Sequence, residues 1–140
     1  CLVWCSRTRL LYDACQRMRD KGYKCGIYDG KVGTENRERD YEDFYNKKIQ
    51  ILFLNQASGA YGLDKLRNAN YGVYLCNDAS VERRQQSEDR EARGLYTELK
   101  YITDVSMEGT VEQKVTNALK QGKELVDSGI TDASLFMLEE

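Results

Sequence analysis

Ile49-Gln50-Ile51-Leu52-Phe53-Leu54 is the stretch that decides the fold. It is nearly continuous in apolar residues, the pattern of a strand covered on both faces, and a glycine-bearing segment, Gly59-Ala60-Tyr61-Gly62, follows it. Outward from it, Leu2-Val3-Trp4-Cys5, Cys25 to Tyr28 and Val73-Tyr74-Leu75-Cys76 are further apolar runs of strand length. Leu99 to Val105 makes a fifth, interrupted by Lys100 and Asp104. Helical patterns separate these runs. Leu10, Leu11, Ala14, Cys15 and Met18 recur at helical spacing until Gly22 stops them. Thr34 is expected to cap a helix whose inner face is Tyr41, Phe44 and Tyr45. A charged helix runs from about Ser80 to Arg93 and is closed by Gly94. Thr110-Val111-Glu112-Gln113 has the form of a capping box, opening a helix with Val111, Val115, Ala118 and Leu119 on one face. Strands alternating with helices in this way predict an α/β fold: a mostly parallel sheet of about five strands between two helical layers. In such sheets a ligand lies at the carboxyl ends of the strands, so the loops after the first, third and fourth strands carry the functional reading.

Composition bounds what those loops can do. The chain has 140 residues and a formal charge of −2, from 21 Lys and Arg against 23 Asp and Glu, which leaves nucleic-acid contact to a local patch rather than to net charge. It contains no histidine, so Ser-His-Asp and Cys-His mechanisms and His-bearing zinc sites are excluded. It contains no proline, so linker and polyproline readings fall away. No apolar run approaches the length needed to cross a bilayer, and no signal-peptide pattern opens the chain. The five cysteines, at 1, 5, 15, 25 and 76, form no C-x-x-C pair and read as reduced, mostly buried thiols of a cytosolic protein. The absence of an initiator Met and the start inside an apolar run suggest a piece of something longer. Residues 1–128 are expected to form one domain and 129–140 an extension of unknown role.

The helix after the fourth strand is the most informative element. From Glu82 to Arg93 its one apolar residue is Ala92, and a helix polar all round is not held to a sheet by burying an apolar stripe. Solvent exposure, internal ion pairs, or a ligand or partner must account for it. Gln86, Arg90 and Arg93 share a face, where two guanidiniums suit phosphate oxygens; the bland alternative is a solvated helix laced with pairs such as Glu82 with Gln86. The stretch Asn55 to Asp64 follows the best strand, and its glycines would let backbone approach a ligand or simply make a tight turn. Gly26 to Val32 is no phosphate loop: three residues rather than four separate Gly26 from Gly30, and Val32 follows Lys31. Alone, therefore, the chain has no evident means of holding β- and γ-phosphates with magnesium.

Taken in order, these blocks resemble the second RecA-like lobe of superfamily 2 helicases, and specifically of Swi/Snf-like ATPases. Gln86-Ser87-Glu88-Asp89-Arg90-Glu91-Ala92-Arg93 is similar to that family's motif VI, Asn55 to Asp64 to its motif V, and Leu2 to Arg7 to its motif IV. The Tyr28-Asp29-Gly30 turn with Asn36-Arg37 and Phe44 resembles the block between them, and Gly109-Thr110-Val111-Glu112-Gln113-Lys114 the block that follows motif VI. The resemblance implies a RecA-like three-layer sandwich and half of an ATP-driven DNA helicase or translocase. Arg90 and Arg93 would be arginine fingers for ATP bound, with Mg2+, mainly by a first lobe of the same protein. Gln86 would orient that array, and Gly59, Gly62 and Asp64 would lie toward the nucleotide. Ser6, Arg7, Asn55, Gln56 and Ser58 would face the backbone of a nucleic acid, more often duplex DNA. No metal is assigned to residues of this chain, no membrane is implied, and the cytoplasm of a bacterial or phage-infected cell is the expected location.

The chain also departs from the family pattern. Ala60 stands where a second glycine is usual, Asp64 where Asn is usual, and Ala92 where motif VI carries His; the Trp-Asn-Pro stretch before motif VI is replaced by Ser80 to Arg84. These departures resemble the looser motifs of phage and mobile-element members. They also sustain an alternative: a degenerate, non-catalytic lobe that binds nucleic acid or protein. A flavodoxin-like regulatory domain is a third reading, but Cys5 and Asn55 stand where its acidic cluster would be.

Overall fold

In a computed structural model of the protein, residues 1–59, 63, 66, 69–92 and 101–127 are described. The elements alternate as expected: β1 (Leu2–Cys5), α1 (Thr8–Asp20), β2 (Cys25–Tyr28), α2 (Thr34–Tyr45), β3 (Ile51–Asn55), α3 (Gln56–Gly59), β4 (Tyr71–Cys76), α4 (Val81–Ala92), β5 (Tyr101–Asp104) and α5 (Val111–Asp127). All five strands pair in parallel, in the order β2-β3-β1-β4-β5. Successive strand residues point to opposite faces, so the sheet builds two cores. Leu2, Trp4, Leu52, Leu54 and Tyr74 face Tyr41 and Phe44 of α2 together with Leu63 and Leu66. Cys5, Ile51 and Phe53 face Leu11 and Cys15 of α1. β3 is buried along its whole length, which is why its sequence lacks the alternation of a half-exposed strand.

Several local expectations are corrected. β3 begins at Ile51, because the Gln50 and Ile51 amides are drawn to the Lys24 carbonyl; Ile49 instead packs on the core from the preceding turn. Thr34 is the first residue of α2 and makes no cap; Gly33 is the N-cap, its carbonyl accepting from the Arg37 amide. On α1 the buried positions are Leu11 and Cys15, while Leu10 lies at the surface. Gly22 ends this helix as expected, at φ +92°. On α2 Tyr41 and Phe44 are buried and Tyr45 is exposed. β5 is described as Tyr101–Asp104, and the adjoining Leu99 and Lys100, as well as Gly94, expected to close the preceding helix, lie outside the described residues.

The capping box opening α5 is not reciprocal. Gln113 Oε1 accepts from the Gly109 amide (2.8 Å), and the Thr110 hydroxyl donates to the Met107 carbonyl (2.6 Å). Val111 is 74% exposed, and the buried side of α5 runs through Thr116 and Leu119.

One irregularity bears on function. β1 and β4 run in step as far as Trp4 opposite Tyr74, then slip so that Cys5 faces Cys76, leaving Leu75 as the extra residue. The slip carries Cys76 to the α1 side beside Cys5 and sets the direction in which Asn77 and Asp78 leave the sheet.

Candidate functional site

The carboxyl edge of the sheet gathers three of the predicted segments. Cys5 pairs with Asn55, so Ser6 and Arg7 leave β1 directly beside Gln56 to Ser58 leaving β3. Ser6 is half-buried; its amide donates to the Cys76 carbonyl (3.0 Å) and its hydroxyl to Cys76 Sγ (3.4 Å), tying the end of β1 to the end of β4. Arg7 is the extended N-cap of α1, with a largely exposed guanidinium 3.4 Å from Glu112 at the start of α5.

The loop after β3 is built inward. Asn55 is buried and caps the turn by accepting from the Ala57 amide at 2.9 Å. Gln56 is wholly buried, and both ends of its amide are engaged: Oε1 accepts from the Asp78 amide (2.7 Å) and Nε2 donates to Asn77 Oδ1 (3.3 Å). Its side chain thus holds the β3 and β4 loops together and offers no surface to a strand. Ser58 accepts from the Gly30 amide (3.0 Å) and donates to buried Asp29 (3.4 Å), whose other oxygen accepts from the Tyr12 hydroxyl. The turn of Tyr28-Asp29-Gly30 is therefore joined to the loop after β3. Of the residues expected near a nucleotide, Gly59 ends α3, while Gly62 and Asp64 lie outside the described residues.

α4 starts where β4 ends. The Ser80 hydroxyl accepts from the Arg83 amide, the Asp78 carboxylate accepts from the Ser80 amide, and Arg83 pairs with Asp78. Three side chains of this charged helix face the sheet: Arg84, Ser87 and Glu88 are all buried. The Arg84 guanidinium lies 3.4 Å above the centre of the Tyr74 ring. Its Nε donates to Glu88 Oε1 (2.6 Å), Nη1 to Asn77 Oδ1 (2.9 Å), and Nη1 and Nη2 to both carboxylate oxygens of Asp104 on β5. Asn77 Nδ2 donates to the same Asp104 carboxylate at 3.0 Å. Ser87 and Tyr74 share a 2.6 Å hydrogen bond between buried hydroxyls. Ion pairs to the sheet hold a helix that hydrophobic burial could not.

Burial pushes the Asp104 pKa up, but hydrogen bonds from Arg84 and Asn77, with the charges of Arg84 and Lys120, outweigh it and hold it below the ordinary 3.8. For Arg84 burial lowers the pKa, while bonds to Asp104 and Glu88 reverse this and raise it. Sequence reasoning missed this cluster. Its signals were Asp104 interrupting an apolar run and Arg84 four residues before Glu88.

On α4, Gln86 Nε2 donates to Glu82 Oε1 (3.1 Å), while Gln86 Oε1 is buried without a hydrogen bond. Arg90 stands half-buried in the last turn, and Arg93 lies outside the described residues. The cysteines are free thiols, and burial raises Cys5 and Cys15 to about 11, which suits packing rather than nucleophilic chemistry. The arrangement can present guanidiniums and backbone amides to an anion. Among the described residues no helix is long and apolar enough to cross a membrane, and no group of three or more metal-ligating side chains occurs.

Compared with known proteins, residues 1–94 match the model of a family described as the helicase conserved C-terminal domain. No curated protein sequence matches the chain significantly. Among solved structures, the C-terminal part of the Fun30 ATPase domain superposes with a TM-score of 0.73 at 23% identity, over 83% of this chain and 37% of that one. The C-terminal domain of the DEAD-box protein Dbp5 superposes with a TM-score of 0.68 at 13% identity, over 86% of this chain and 67% of that one. At these identities the likeness is one of fold. This chain spans a little over a third of the Fun30 chain.

Proposed function

Because this chain belongs to the helicase conserved C-terminal domain family, we propose that it is the second motor lobe of an ATP-dependent DNA helicase or translocase. The Swi/Snf-like motifs favour that branch. In this reading a first RecA-like lobe of the same protein supplies the phosphate loop and Mg2+. Arg90 and Arg93 reach across the cleft to the γ-phosphate and stabilise charge on the transferred phosphoryl, an effect worth on the order of 10³ or more in rate. Gln86 orients them, Gly59, Gly62 and Asp64 face the nucleotide, and ATP-driven closure of the lobes moves the strand by a hinge motion.

The observation that carries the reading is the family match itself, which extends through α4 and so takes in Gln86 and Arg90. The carboxyl edge adds support. Arg7 and the backbone at Ser58 and Gly59 support a contact with a phosphate backbone there; Gln56 is engaged at both ends of its amide, and Asn55 Oδ1 accepts from the Ala57 amide. Duplex DNA is the proposed substrate.

The test is ATP hydrolysis by the two-lobed parent protein, with and without duplex DNA, for wild type and Arg93→Ala. DNA-stimulated turnover that falls about a hundredfold or more in the variant, close to 3 kcal/mol, is expected. Equal turnover in both, or none in either, would reassign the chain as a non-catalytic binding lobe.

A further inference from the structure

Arg84 and Glu88, which help pin α4 to the sheet, and the motif VI-like Gln86 and Arg90 occupy opposite sides of the same helix. At about 100° per residue, Arg84 and Glu88 lie within about 40° of each other, whereas Gln86 and Arg90 lie about 200–240° from Arg84. The pinned side is polar, and that matters. An apolar stripe sliding on an apolar sheet has many rotations of similar energy, because the hydrophobic effect is non-directional. A guanidinium that must satisfy Asp104, Glu88 and Asn77 while stacked on Tyr74 has very few. The same network continues through Asn77 to Gln56 at the start of α3, so the loop after β3, the end of β4, α4 and β5 are bound to one another.

We propose that Arg84 is a positioning residue: through Asp104, Glu88 and Asn77 it sets the rotation of α4, and hence where Gln86 and Arg90 point, and it locks that helix to the loop after β3. The inference rests on the motor-lobe reading above and adds to it a residue outside the family-like motif. It also accounts for a buried charge cluster where packed apolar side chains would serve stability as well. The guanidinium touches no nucleotide in this scheme. It acts only through Gln86 and Arg90 on the far side of the helix.

The experiment uses the two-lobed parent protein and compares wild type, Arg84→Lys, the apolar triple variant Arg84→Met/Glu88→Met/Asp104→Leu, and Arg93→Ala. Each is measured for its melting temperature and for kcat and KM for ATP with duplex DNA. The apolar triple variant should melt near wild type, since buried ion clusters can be replaced by apolar residues of similar volume without loss of stability. Its kcat should nevertheless fall about tenfold or more, with KM for ATP nearly unchanged, because a misaimed catalytic group costs rate rather than nucleotide binding. Arg84→Lys, which keeps the charge but not the planar fork, should fold and recover only part of that loss. A folded triple variant with wild-type kcat would overturn the proposal, as would full activity in Arg84→Lys should the triple variant fail to fold. Wild-type activity in the Arg84 variants beside an inactive Arg93→Ala would sink this proposal alone. An Arg93→Ala protein as active as wild type would sink the motor-lobe reading, and this inference with it.

Discussion

Gly26 shows how closely single residues are constrained. It sits in β2 where α2 crosses, and a Cβ there would lie 2.9 Å from both Asp40 Cβ and Ile49 Cδ1. Asp40 cannot move aside freely, because its carboxylate accepts from the Ile27 amide at 3.1 Å. Gly26→Ala should therefore destabilise the domain by about 1–3 kcal/mol through overpacking. The check is a lower urea midpoint with an unchanged slope; an unchanged midpoint would mean that α2 can shift at no cost. The thiols offer a second test at this scale. Cys5 and Cys15 are buried, and burial raises both to about 11, so at pH 8 they hold almost no thiolate. Native protein should protect both from iodoacetamide over hours, and denaturant should release both within minutes, as peptide mapping would register. Fast native labelling at either position would contradict the packing described for the α1 face.

Elements here are held by different forces on different faces. α1 and α2 bury apolar stripes, Leu11 with Cys15 and Tyr41 with Phe44. α4 buries Arg84, Ser87 and Glu88 and is tied down by charge. The edge strand β2 is finished by side chains: Asp40 accepts from the Ile27 amide, and Arg19 donates to the Cys25 carbonyl at 3.0 and 3.2 Å. Those three bonds occupy the Ile27 amide and the Cys25 carbonyl, two backbone groups that would otherwise template another strand. The pinning of α4 carries a pH signature. Since Asp104 is held below its ordinary value in the folded state, its contribution is complete above the unfolded pKa of about 4 and is lost as pH falls through the native value. Asp104→Asn should cost about 1–3 kcal/mol at pH 7, where the paired charge is present. The gap between wild type and variant should hold steady from pH 7 to about 5 and close as the pH drops below about 4. Parallel stability curves through the acid range would show that the carboxylate contributes nothing by being ionised.

At the scale of the whole molecule, the site is one half of a machine in the proposed reading. At the carboxyl edge Arg7 is paired with Glu112, Arg83 with Asp78 and Arg84 with Asp104, and the formal charge of the chain is −2. The isolated 140 residues should accordingly bind duplex DNA weakly and lose that binding steeply with added salt. With no phosphate loop they should hydrolyse no ATP above background. A purified fragment that turns over ATP, or binds DNA at nanomolar concentration regardless of salt, would refute the half-motor reading.

Sequence alone was enough for the alternation of strands and helices, the two-sided burial of β3 and the order of the family-like blocks, because each is a local pattern. The apolar period follows from which faces a strand or helix must hide, and glycine at a helix end follows from backbone sterics, as at Gly22. It also sufficed to pick α4 as an exceptional helix, though not to say what holds it. Only the tertiary structure decided that, since Arg84 meets Asp104 across twenty residues and Gln56 meets Asn77 and Asp78 across more than twenty. The slip that moves Cys76 beside Cys5, and the bonds that bury Gln56 against Asn77 and Asp78, likewise depend on strands distant in the chain being brought side by side. A charged side chain looks the same in sequence whether water or a buried partner satisfies it. The difference is made by what the fold sets opposite it.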